Sequence, residues 1–351
     1  MSTLPESFSC PLPHPLPQRI TMAHGGGGKA MQELIRELFA ARLSDGSLQS
    51  GSDAAILPAC ATAQAFTTDS FVVKPVIFPG GSVGSLSIHG TVNDLAMVGA
   101  RPRYISAGFI LEEGLDMDVL DRVLRSMRQA ADHVGVSVVT GDTKVIERTR
   151  GDGLMINTAG VGTIEHRLEL GAHMVQEGDV VIVNGDLARH GMAIMAAREG
   201  LDFDPPLESD SASVAEAALA LIDSGIPVRC MRDCTRGGLG AALIEIASDA
   251  GLTVGIEERA LPVSEAVRGA CEILGLNPVH VACEGRFVAI IPGEYADSAL
   301  EVLKPHAAAG TAPVNLGRVT AKREAPVVVN SAIGVTRILD RPSGEQLPRI
   351  C

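Results

Sequence analysis

Apolar residues at Met31, Leu34, Ile35, Leu38 and Phe39 recur three and four positions apart, which predicts an amphipathic helix over Lys29 to Leu43. The same spacing predicts helices over Val83 to Val98 and Asp116 to Val134. Between and after them, short runs rich in β-branched residues predict strands at 65–68 and 71–73, on either side of Asp69, and at 103–111, 136–140 and 154–164. Gly171 to Gly178 breaks the pattern and reads as a linker. A second series then begins, with strands at 180–183, 253–256, 286–291 and 314–319. Helices alternate with them at 190–198, 211–223, 238–250 and 263–274. The two halves have similar content, without a strict βαβ repeat or a short-period solenoid. The pattern predicts an α+β protein of two αβ domains, at 18–170 and 171–338. Five prolines in residues 1–17 predict a disordered leader. Pro342, Gly344 and Pro348 predict a mobile tail over 339–351.

Composition narrows the class. Of 351 residues 46% are hydrophobic, with no Trp, two Tyr and eight Phe, so the cores must be aliphatic. No apolar run approaches the roughly 20 residues of a membrane span. The N-terminus also lacks a signal pattern, and we expect a cytoplasmic protein that does not engage a membrane. Twenty-nine basic against 42 acidic residues give a net charge of −13, with no basic stripe, which argues against a nucleic-acid partner. Seven cysteines (10, 60, 230, 234, 271, 283 and 351) contain no CxxC or Cys/His cluster, so a zinc site is not indicated. Cys230 and Cys234 read as buried thiols. Cys351 differs in being the last residue.

Chemistry concentrates in six short motifs. Gly25-Gly26-Gly27-Gly28-Lys29 precedes the first helix, where bare backbone amides and a helix N-terminus can close on phosphate oxygens. It is not a Walker A loop, because Ala30 follows the lysine, and a flexible turn remains the plain alternative. Asp53, Asp69, Asp94 and Asp142 each stand at the edge of an apolar element, where burying charge calls for a cation or a donor. A single such residue is usually a helix cap. Four of them beside a glycine-rich loop favour magnesium held with the phosphates of a nucleotide. Asp233 repeats the theme in the second half, and Arg236 can meet a phosphate in two places.

The order of these motifs carries a resemblance. A glycine-rich loop, Thr67-Thr68-Asp69-Ser70, His89-Gly90-Thr91-Val92-Asn93-Asp94-Leu95-Ala96, Thr140-Gly141-Asp142-Thr143-Lys144 and Arg232-Asp233-Cys234-Thr235-Arg236-Gly237-Gly238 follow one another. The succession resembles the ATP-binding superfamily of aminoimidazole ribonucleotide synthetase, selenophosphate synthetase and thiamine monophosphate kinase. Within it, the closing Pro348-Arg349-Ile350-Cys351 is similar to the HypE family of hydrogenase-maturation proteins. Phe78-Pro79-Gly80-Gly81 and 108–114 also resemble that family, and the likeness covers about residues 20 to 351.

The resemblance implies a carbamoyl dehydratase. The carbamoyltransferase HypF would place a carbamoyl group on the Cys351 sulfur. ATP would then convert the S-carboxamide into an S-cyanate, and the cyanide would pass to iron on a HypC–HypD scaffold during [NiFe]-hydrogenase assembly. Glu284 matches the family's acidic position for the base, Lys144 matches its lysine, and His89 would orient substrate or phosphate. Asn93 and Thr143 fall among the implied ATP contacts. Magnesium would be held among Asp53, Asp69, Asp94, Asp142 and Asp233. The N-terminal domains of two chains would pair into a β-barrel, giving a homodimer with ATP in the cleft between domains. From Gly334 to Cys351 the chain extends at most about 55 Å, enough to move between two active sites. We expect the tail to fold inward only when ATP is bound. The alternatives are a small-molecule kinase or ligase of the same superfamily and, in a different class, a metal-delivering scaffold.

Overall fold

The computed structural model describes residues 18–46 and 54–341. The leader 1–17, Asp53, Cys351 and the tail from residue 342 lie outside them. The first helical stretch comprises α1 (Lys29–Leu34), a π-helical turn (Ile35–Ala40) and α2 (Ala41–Leu43), and it buries Leu34, Leu38, Phe39 and Leu43. Strand β1 (Gln64–Phe71) and the small hairpin β2 (Ile77–Phe78) and β3 (Gly81–Ser82) lead into α3 (Val83–Met97). Strand β4 (Ala100–Glu112), α4 (Met117–Val134), β5 (Ser137–Ile146) and β6 (Leu154–Ile164) complete the first domain. Its sheet runs β1-β6-β4-β5, antiparallel except where β5 runs parallel to β4. Period-2 alternation sends Ile105, Ala107, Phe109 and Leu111 into the core and leaves Tyr104, Ser106, Gly108 and Ile110 on the outer face.

The second domain holds β7 (Val180–Val183), α5 (Arg189–Glu199), α6 (Ala215–Asp223), β8 (Cys230–Asp233), α7 (Gly238–Ala250) and β9 (Thr253–Glu257). It continues with α8 (Glu265–Leu274), β10 (Phe287–Ile291), α9 (Ala296–Leu303), β11 (Val314–Thr320), β12 (Val327–Asn330) and β13 (Thr336–Ile338). These strands form one mixed sheet ordered β13-β12-β9-β11-β7-β10-β8. Strand β7 is buried on both faces. Val181 and Val183 meet Leu239, Leu243 and Val267 from α7 and α8, while Val180 and Ile182 join the core that contains α6 and α9. That core is continuous with the residues of α3 and α4, so the two domains share one apolar interior.

Helix α3 is the pivot. Twelve of its 15 residues are buried, as expected of a helix packed on all sides. Ser82 caps it, accepting from the Gly84 and Ser85 amides. Gly84 lies against α4, and a Cβ there would sit 2.2 Å from the Val123 carbonyl oxygen.

Several elements differ from the pattern-based expectation. Asp69 lies inside β1, because all eight residues of that strand pair with β6, Asp69 opposite Thr158. Strand β5 continues to Ile146, drawn on by its parallel partner β4. Residues 211–214 are not helical, and α6 starts only at Ala215, because the amides of Ser211, Ala212 and Val214 bond to Ser209 Oγ, the Glu284 carbonyl and Asn93 Oδ1. Strands β8, β12 and β13 and helix α9 are short and went unforeseen. Leu339 is buried, and its amide donates to the Val327 carbonyl at 3.0 Å, so the body of the domain holds the chain at least that far. Among the described residues no helix is long and apolar enough to cross a membrane.

G84A forces α3 and α4 apart and should cost about 1–3 kcal/mol, the usual range for overpacking. Urea unfolding of the variant and wild type reads the difference.

Candidate active site at the domain seam

The seam collects acids from three elements. Asp69 comes from β1, Asp94 from α3 and Asp233 from the end of β8. Glu284 follows on the loop into β10 and is only 2% exposed. Burial raises the pKa of Asp69, against hydrogen bonding from Ser70 and the positive charge of Arg236. Burial raises Asp94 as well, and Asp69 adds to the effect, although Thr67 Oγ donates to Asp94 at 2.9 Å. Asp233 is pushed up to about 7, by burial first and then by Asp94. Glu284 is raised well above the usual carboxylate range: full desolvation acts together with the charges of Asp233, Asp210, Asp69 and Asp94. Its Oε1 is buried with no hydrogen-bond partner among the described residues. Such a carboxyl holds its proton more tightly than a solvated glutamate does.

A strap over residues 209–214 closes the seam. The Ser209 amide donates to the Pro79 carbonyl at 2.9 Å, and its hydroxyl bonds His190 Nδ1 at 2.8 Å. His89 Nδ1 meets Ser211 Oγ at 3.1 Å; burial drops the pKa of this histidine to about 4, so it is neutral at physiological pH. Asn93, 2% exposed, spends its whole amide inside the protein. Its Oδ1 accepts from Val214 N–H at 2.8 Å, and its Nδ2 donates to the carbonyls of Ala212 at 3.0 Å and Glu284 at 3.4 Å. A nucleotide contact through Asn93 would have to break those bonds. Here the residue fastens the strap and Glu284 to α3.

The glycine-rich loop lies beside β5. Gly25 packs so closely on Val145 that a Cβ would come within 2.9 Å of the valine Cβ. Gly27 has φ +74°, and both it and Gly28 have open space around them, leaving backbone free to meet a ligand. Lys29 is exposed and pairs with Glu33. Asp142 and Lys144, two apart on β5, share its open face and pair at 3.2 Å. Thr143 points the other way and is buried. Loop, Asp142 and Lys144 thus form one rim, while Asp69, Asp94 and Asp233, each half-buried, gather around the buried Glu284, with Arg236 acting on the group through Asp69. No contact joins Lys144 to Glu284 among the described residues.

Sequence reasoning missed Asp186, Asp210 and Arg286. Arg286, buried at the start of β10, donates Nη2 to Asp186 Oδ1 at 2.5 Å, Nε to the Asp186 carbonyl at 2.9 Å and Nη1 to the Gly285 carbonyl at 2.7 Å. Asp210 lies 3.8 Å from its Nε. Ser209-Asp210-Ser211 looks like an ordinary polar loop in sequence, and only the packing reveals its place. Cys230 and Cys234 are buried, and the surroundings raise both thiol pKa values, burial chiefly.

The donor set suits a hard cation, since mutually repelling carboxylates gain from one. No group of three or more such side chains converges into a cage among the described residues. Magnesium bound mainly through phosphates and water needs no such cage.

The raised Glu284 pKa sets the sign of a pH effect. The unfolded chain releases this proton near pH 4.3 and the folded chain only higher, so folded wild type loses stability as pH rises above the unfolded value. E284Q removes that loss. It should melt above wild type at about pH 8, with the gap closing by about pH 4.5; differential scanning calorimetry of the ligand-free protein measures it.

Comparison with known proteins agrees with this architecture. The family models described as AIR synthase related protein, N-terminal domain and C-terminal domain, match residues 51–164 and 176–330. The carbamoyl dehydratase HypE of Azotobacter vinelandii is 45% identical over 332 residues, covering 95% of this chain and 97% of that protein. A crystal structure of the hydrogenase maturation protein HypE in complex with ATP superposes with a TM-score of 0.89 at 41% identity, over 94% of this chain and 99% of that one. The HypE chain of a HypE–HypF complex matches at TM-score 0.76 and 39% identity, over 88% and 99% of the two chains. Relatives this similar along nearly their whole length place the chain in the carbamoyl dehydratase HypE family, built from the two AIR synthase related domains.

Proposed function

We propose that this protein uses ATP to dehydrate an S-carboxamide on its own Cys351 to an S-cyanate. The observation that carries this reading is the buried Glu284 carboxyl, lacking a partner for Oε1 at the seam between the domains. Amide oxygen is a poor leaving group. Its attack on the ATP γ-phosphorus releases ADP and, with loss of one of the two N–H protons to solvent, leaves an S–C(=NH)–O–phosphate. A base then takes the remaining N–H proton while the C–O bond breaks, and S–C≡N and phosphate result. Glu284 is the base we assign. Burial raises its proton affinity, which strengthens it as an acceptor once ionised.

Lys144 supplies a fixed positive charge for the transferring phosphoryl or the carboxamide oxygen, from its place beside Asp142. The backbone of Gly25 to Gly28, with Lys29, Thr143 and Arg236, belongs to our assignment of the ATP phosphates. The carboxylates of Asp69, Asp94 and Asp233, with Asp53 and Asp142, would hold magnesium, which supplies neutralisation of phosphate charge. His89 orients the strap through Ser211. HypF would deliver the carbamoyl group, a reading supported by the related HypE–HypF complex, and HypC–HypD would receive the cyanide. Phe66 (71% exposed) and Ile110 (41%) on the open face of the first sheet support pairing of two chains there.

C351A should bind ATP as wild type does yet yield no thiocyanate. Equilibrium nucleotide binding and intact mass after incubation with the carbamoyl donor system read the two properties. Thiocyanate formed by C351A, or ATP turnover on a free metabolite independent of Cys351, would favour the kinase-or-ligase alternative.

A further inference from the structure

We propose that Asp210 is a positioning residue for Glu284, fixing the backbone from which the base acts. The inference rests on the assignment of Glu284 as the base. The Asp210 side chain is wholly buried on the strap. Its Oδ1 accepts the Glu284 backbone N–H at 3.2 Å. Its Oδ2 has no hydrogen-bond partner among the described residues and lies 3.8 Å from Arg286 Nε.

Arg286 does not need Asp210 for its own satisfaction. Asp186 and Gly285 already occupy its Nε, Nη1 and Nη2. Arg189 Nε in turn holds the second Asp186 oxygen at 2.9 Å. A buried carboxylate left with one unbonded oxygen is costly, and a neighbouring charge at this distance offsets only part of that cost. What Asp210 supplies is a rigid anchor, set between an immobilised guanidinium and the Glu284 amide.

The contact also transmits position. A Cβ on Gly285 would sit 2.0 Å from the Asp210 carbonyl oxygen, so strap and loop touch backbone to backbone. The Glu284 carbonyl is held too, by Ala212 N–H at 3.4 Å and Asn93 Nδ2 at 3.4 Å. Both ends of the residue's backbone are therefore pinned while its carboxyl keeps an unpartnered oxygen. Fixed main chain with an unengaged reactive group is what proton abstraction in a set geometry requires.

The test uses the full-length protein carbamoylated on Cys351, with Mg-ATP in excess, and follows thiocyanate formation in a single turnover by mass. D210A should slow this step by about 10- to 100-fold, the scale expected of an ångström-sized displacement, with ATP affinity unchanged. D210N keeps the Oδ1 acceptor and should restore the rate to within a few fold of wild type. A wild-type rate in D210A would overturn the proposal. So would equal slowing in D210A and D210N, or a matching loss of ATP affinity, which marks a merely structural role. If D210A does not fold, D210S, whose hydroxyl is too short to reach the amide, takes its place under the same criteria. Failure of wild type itself to form thiocyanate would instead refute the Glu284 and Cys351 assignments, a separate result.

Discussion

Keeping the Glu284 carboxyl out of water between two domains is the constraint on which the rest of this structure depends. Desolvation and four neighbouring acids act against its ionisation together. An isolated loop could not hold such a group, because it would swing out to solvent and hydrate. The fold prevents this by sharing one apolar interior between the domains and by drawing the strap at 209–214 across the seam. Asn93 fastens that strap with both ends of its amide, and Asp210 fastens Glu284 to the strap. Charge burial, usually a liability for stability, is here concentrated at the residue we assign as the base.

Helix α3 makes the arrangement possible. It is packed on nearly every side, so its polar residues have no solvent to face and must find partners in neighbouring elements. Thr91 meets Thr158 on β6 at 2.5 Å, His89 meets Ser211, and Asn93 meets Ala212, Val214 and Glu284. Asp94, one residue on, joins the acid group with Thr67. One helix therefore aligns the first sheet, the strap and the loop before β10. The glycine-rich loop and the Asp142–Lys144 pair stand apart on the rim, exposed and ready for a ligand that arrives from solution. In the proposed reading, a nucleotide and the chain terminus bridge the acid group around Glu284 and the exposed rim.

Much of this was legible in the sequence. Helices α4 and α7 and strand β6 follow from apolar spacing along one buried face, and α3 and β7 from apolar runs that the core surrounds. The acids stood out as charges stranded in apolar runs, and the motif order pointed to the family that the relatives share. Two kinds of feature did not show. Residues 211–214 carry a helix-compatible pattern, but tertiary hydrogen bonds to Asn93, Ser209 and Glu284 take their amides, and this overrides local propensity. Asp186, Asp210 and Arg286 come together from segments far apart in the chain, and no local spacing announces a pairing of that kind. For Asn93 the motif suggested a ligand contact, whereas its amide is consumed by the protein.

The central claim is that ATP drives loss of water from a carbamoyl group carried by this chain. The most direct measurement is intact mass after incubation with the HypF carbamoyltransferase, carbamoyl phosphate and Mg-ATP, followed by peptide mapping. We expect a carbamoyl adduct that loses one water only when ATP is present, mapped to Cys351. An adduct on another residue, or one that stays hydrated while ATP is consumed, would contradict it.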